Sequence, residues 1–164
     1  MSLFLHKLSN AKIAWSIVLG LFISSVGLPG LAATMAPDVL ALIIFYWATL
    51  GVSSRPKMGT VFLFGLFVDF STGGAIGMHS LKYVLMLTIA IQLGNRFQMS
   101  PVLKQIALIV LVLLALEILL GGFVWIFLKI PLDIKSVIVA AMWGLVWPLV
   151  AAALDKNYSR TGAK

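Results

Sequence analysis

Cysteine is absent from the chain, which excludes disulfides, thiolate nucleophiles and Cys-based zinc sites. Histidine is nearly as scarce: His6 and His79 are too few and too far apart for a histidine metal site. Charge is sparse as well. Charged residues make up 10% of the 164, whereas soluble domains carry about 25%, and only 5 acids stand against 12 basic residues. Apolar side chains fill the space, at 62% of the sequence with a mean hydropathy of +1.11. That composition is incompatible with a soluble domain. The net charge of +7 raises nucleic acid or an anionic membrane as partner, and the apolar excess selects membrane lipids. Nucleic-acid binding needs a folded basic surface, which a chain of this composition lacks.

A membrane helix needs about 20 apolar residues, so this length accommodates five or six spans and no sizeable soluble domain. Reading between the charges, with Gly and Pro as punctuation, places spans at about 13–33, 37–53, 58–70, 78–93, 102–127 and 136–154. The expected fold is an all-α, six-helix transmembrane bundle forming one domain over 1–164. Basic residues accumulate in short cytoplasmic loops. Lys7, Lys12, Arg55, Lys57, Arg96, Lys104, Lys156, Arg160 and Lys164 fall on one side, and Lys129 and Lys135 on the other. Both termini are therefore expected in the cytoplasm. Lys7, Lys12 and the small residues Ala32-Ala33-Thr34 also fit a secretory signal peptide, but the intervening apolar stretch exceeds the usual core of such a signal.

Charges within spans are the informative exceptions, because placing one near the bilayer centre costs about 2.5 to 3.5 kcal/mol on insertion scales. Asp69 lies 12 residues from Lys57, Glu117 lies 13 from Lys104, and Lys82 lies 14 from Arg96. At 1.5 Å of rise per residue these are depths of about 18, 20 and 21 Å. All three are expected in one layer, with Asp69 or Glu117 paired to Lys82. His79 shares the helical face of Lys82 and is expected to join them. Such a layer serves either as a proton relay or polar site, or as an intramembrane ion pair that fixes helix packing. The second use fits better, since no titratable chain connects the layer to the cytoplasm. The two carboxylates have no nucleophile or metal ligand beside them, so no residue is assigned to catalysis, a cofactor or a metal.

Small residues form the second pattern: Gly65, Asp69, Gly73 and Gly77 recur every four residues. Gly73 and Gly74 read as a turn between spans 3 and 4, and Gly65 as a helix-packing face. The stretch lacks the Lys-Ser/Thr of a phosphate-binding loop. Pro148 should kink span 6. Tyr46, Trp47, Trp125, Trp143 and Trp147 fit interfacial belts and core packing, and the basic tail fits a topology anchor on anionic lipid.

Two segments carry a family resemblance: Pro37-Asp38-Val39-Leu40 leading to Tyr46-Trp47, and Gly59 followed by Phe64-Gly65-Leu66, Asp69, Gly73, Gly77 and Leu81. Together they resemble the bacterial rod shape-determining MreD family. This chain has Ala36 where members often have Arg, and Arg55-Pro56 in place of a Pro soon after Tyr-Trp. The resemblance implies a non-catalytic scaffold of the cell-elongation machinery in the inner membrane. It would dock MreC and, through it, work with MreB, RodA and the elongation transpeptidase in peptidoglycan synthesis. Pro37, Asp38, Tyr46, Trp47, Gly65 and Gly77 are the candidate partner contacts. The family is also similar in fold to the substrate-binding subunits of energy-coupling-factor transporters, which makes a vitamin-like binding subunit the alternative. Ala11-x-x-x-Trp15 matches the Ala-x-x-x-Ala face of those subunits only in part.

Overall fold

A computed structural model describes residues 13–22, 24, 38–50, 55–73, 75–129, 131 and 134–162, without the side chains of 95, 128 and 155–162. Every regular element among them is an α-helix: α1 (Ile13–Phe22), α2 (Val39–Thr49), α3 (Met58–Thr72), α4 (Met78–Gln98), α5 (Val102–Leu128), α6 (Ile134–Leu145) and α7 (Trp147–Gly162).

Helix α2 is the centre. Its sequence is apolar on all sides, the pattern of a fully buried helix, and every residue from Leu40 to Thr49 is buried. Asp38 caps it, accepting a hydrogen bond from the Ala41 N–H at 3.3 Å. Eleven residues give a helix of about 16 Å, half the thickness of a hydrocarbon core. Helix α1 lies against it, with Trp47 Nε1 donating to Ser16 Oγ at 2.9 Å and Gly20 facing Ile43 and Leu40.

Helices α3 and α4 form a tight pair. A β-carbon on Gly65 would collide with the Ser80 backbone and sit 2.9 Å from the His79 carbonyl carbon, so only glycine permits this approach. Ser80 Oγ donates to Phe62 O at 3.0 Å across the contact. The turn between them needs glycine where φ is positive: Gly73 (φ 65) ends α3 in the left-handed conformation, and Gly77 (φ 97) leads into α4. Helix α4 packs on α2 with its other side, and it breaks at Gly94 (φ 51, ψ −147) before a last stretch that buries Phe97.

Helix α5 starts directly after Pro101 and pairs with α6, where Gly144 fits against Val110. The chain then bends by 44° between α6 and α7. Pro148 has no N–H to return to Gly144, so the ladder stops and restarts at Val146, in line with the kink expected from the sequence. By length and composition, α5 over Val102–Phe127 is long and apolar enough to cross a membrane. The bent pair Ile134–Leu145 and Trp147–Leu154 makes a second candidate if counted as one span. Helices α1, α2 and α3 are each shorter than a span. The starts of α3, α4 and α5 coincide with starts read from the charges, while α2 begins two residues after, and ends four before, the limits read for its apolar segment.

Candidate functional site

Lys82 of α4 is the hub of a charged cluster. Its Nζ donates to Glu117 Oε1 of α5 at 2.7 Å and lies 2.8 Å from Asp38 Oδ2 at the start of α2. The Asp38 contact is an ion pair outside hydrogen-bond alignment; Oδ2 is buried and has no hydrogen-bond partner. The other Asp38 oxygen, Oδ1, accepts from Tyr83 Oη at 2.9 Å as well as from the cap N–H. One ammonium thus ties three helices. The side chains of Lys82, Asp38 and Glu117 are 10%, 16% and 22% exposed, so the pairs lie largely out of solvent, where a charge needs its counter-charge.

Asp69 and His79 form an adjoining set. The fully buried Asp69 carboxylate accepts from Gly77 N at 2.8 Å, His79 N at 3.0 Å and His79 Nδ1 at 2.8 Å. It therefore caps the amino end of α4, where free N–H groups favour an anion. An ionised carboxylate only accepts, so Nδ1 is the nitrogen that carries the proton. The positive φ of Gly77 aims its N–H at Asp69, which ties the glycine turn to the acid four residues before Gly73.

Of the two acids expected to pair with Lys82, Glu117 does so and Asp69 takes His79 and the α4 backbone instead. Asp38, expected from the sequence at a partner contact, stands in the ion-paired cluster. Its signal is an acid at the start of a wholly apolar helix, a position that must be buried once the helix is. The other candidate contacts are also taken up inside the chain. Tyr46 and Trp47 are 2% and 4% exposed, stacked edge-on at 5.4 Å; Gly65 faces α4, and Gly77 shapes the turn. Tyr46, Trp47 and Gly65 present no open face to a partner, because α1, α4 and α7 already cover these positions, whereas a β-carbon on Gly77 would meet no atom within 4 Å. Pro37 lies outside the described residues.

Reading charges alone misses a second, neutral cluster at the other end of α2. Gln98 Nε2 donates to Thr49 Oγ1 at 2.7 Å, and Trp147 Nε1 donates to Gln105 Oε1 at 3.0 Å. Gln105 Nε2 donates in turn to Ser100 O at 2.9 Å and Gln98 O at 3.2 Å. Phe45, Phe97 and Trp147 pack edge to face around it, with centroids 5.0 to 5.8 Å apart. The only sequence signal is two glutamines flanking the Ser100-Pro101 turn.

Apolar helices fastened by internal polar clusters define a helical membrane protein. The family model for rod shape-determining protein MreD matches residues 7–154. The chain belongs to the MreD family, whose members are bacterial membrane proteins that act in determining rod shape. Neither the curated proteins nor the solved structures give a significant match.

Proposed function

We propose that the chain is a multi-pass, non-catalytic scaffold of the inner membrane, with both ends cytoplasmic, that docks MreC within the rod-shape complex. MreB, RodA and the elongation transpeptidase would be reached through that complex, in support of peptidoglycan synthesis. The family match over residues 7–154 carries this reading. The geometry supports it, since Lys82, Asp38, Glu117, Asp69 and His79 hold helices to one another, which is what a rigid docking platform requires. The transport reading draws no support from the comparisons. Six spans are the reading of the apolar segments and their flanking charges.

The test is co-purification. The full chain in membranes should retain MreC through detergent extraction, and its loss should convert rods to spheres. A chain that inserts but never retains MreC would refute the docking role, and a reporter after Lys164 that reads as periplasmic would refute the topology.

A further inference from the structure

The helices join into two bodies. Gly20 sets α1 on α2, Gly65 sets α3 on α4 and Gly144 sets α5 on α6, and α4 also packs along α2. Helices α1 to α4 therefore form one body, and α5 with α6 the other. Between them, α4 meets α5 far less extensively than it meets α2 or α3. Helix α5 turns Ile109, Leu113, Leu116 and Leu120 inward, a stripe of bulky aliphatic side chains. Apolar contact between helices gains little in lipid, so a stripe of this kind does not by itself fix the angle between the bodies.

The described polar contacts between α4 and α5 lie at opposite ends. Beside the connecting turn, Gln105 Nε2 donates to Gln98 O at 3.2 Å. At the same end Trp147 of α7 packs on Phe45 and Phe97, with centroids 5.8 and 5.4 Å away. At the far end Lys82 Nζ meets Glu117 Oε1 at 2.7 Å. Lys82 stands 12 residues, about 18 Å, before Gly94, and Glu117 stands 15 residues, about 22 Å, after Val102. Gly94 has φ 51 and ψ −147, and a β-carbon there would meet no atom within 4 Å. The backbone conformation, and not close packing, is therefore what calls for glycine in the stretch that links the two bodies.

We propose that the segment from Gly94 to Pro101 is a hinge and that the Lys82–Glu117 pair is the latch that holds it closed. Hinges are a few element-terminal residues that absorb a backbone change. A tilt of α5 and α6 by about 10° at the turn displaces a group about 20 Å away by about 3.5 Å, enough to part the pair. Lys82 keeps Asp38 when the latch parts, whereas Glu117 loses its one described polar partner, which keeps the closed state dominant. Latched, the bundle is one rigid body; released, it opens a wedge between α4 and α5 on the side away from the turn. The device does not depend on which partner the chain docks.

The experiment measures distances between spin labels on cysteine pairs, which are unique in a chain without cysteine, in the full chain reconstituted in lipid nanodiscs. Leu81→Cys with Ile118→Cys reports the latch end of α4 and α5, and Ile91→Cys with Leu103→Cys the hinge end. Phe67→Cys with Leu81→Cys lies within one body and reports that the fold is intact; the four helix positions nearest the latch and hinge are exposed. With Glu117 in place the latch-end pair should show one dominant distance. Glu117→Gln should raise a longer-distance population about tenfold, as for loss of a hydrogen bond between charged groups, and Glu117→Lys, which sets like charges together, should make that population the major one. The hinge-end pair should move less, and the pair within one body not at all. An unchanged latch-end distance in both Glu117 variants overturns the proposal. So does an equal change at the latch and hinge ends, or a change in the Phe67–Leu81 pair, because either is a general loosening of the bundle and not rotation about a hinge. A latch-end pair already spread over both distances with Glu117 in place also overturns it, since the ion pair then holds nothing closed.

Discussion

The two ends of α2 are fastened by opposite chemistry. At Asp38 the helix is held by charge, with Lys82 between two carboxylates; at Thr49 it is held by amides, a hydroxyl and an indole. Eleven residues, about 16 Å, separate them. The neutral end balances its donors and acceptors pair by pair, and losing one pair leaves a single hydrogen bond unmade. The charged end balances as a set, so removing its one cation strands two anions. The difference teaches that specificity of helix pairing is concentrated at the charged end, while the neutral end contributes packing with modest polar reinforcement.

The largest effect should come from Lys82→Met. It leaves Asp38 and Glu117 without their cation, and breaking a buried pair in this way costs about 3 to 5 kcal/mol. Thermal unfolding in detergent should show it as a large drop in midpoint. Next, Asp69→Ala frees three donors at the start of α4 and should destabilise by about 1 to 3 kcal/mol, with the α3–α4 turn opening first in hydrogen exchange. Gln105→Leu at the neutral end removes three hydrogen bonds, one from Trp147 and two to backbone carbonyls, and at an average of about 0.6 kcal/mol each in membrane proteins it should cost somewhat less, about 1 to 2 kcal/mol. Smallest of all is the coupling between the ends: combining Lys82→Met with Gln105→Leu should be additive within about 0.5 kcal/mol at this separation. A coupling well above that would show that the two ends act as one network, and the contrast would dissolve.

Much of the charged end is legible in the sequence, for a physical reason. Charges in an apolar chain are rare, and counting rise along a helix fixes their depth, which by itself brings Lys82 and Glu117 to one level. The same counting does not reach Asp38, because an acid at a helix start reads as a cap in a turn. Here it is both cap and ion-pair partner. Gly65 reads as a packing face, yet helix periodicity gives the face and not the neighbour, and the neighbour is α4 rather than another protein. The neutral end stays hidden because Thr49, Gln98 and Gln105 carry no charge to mark them. The length of α2 is hidden too: its apolar segment continues past Thr49, but the helix stops at Leu50.

The central claim is that Lys82 matters as the counter-charge of Asp38 and Glu117, and the most direct measurement compares two variants by thermal unfolding. One is Lys82→Met alone; the other adds Asp38→Asn and Glu117→Gln, so that no charge of the triad remains. If the account holds, the triple variant is more stable than the single one and recovers most of the lost midpoint, because neutral replacement of a whole buried ion-pair set costs little. A single variant as stable as the wild type, or a triple variant less stable than the single, would contradict it.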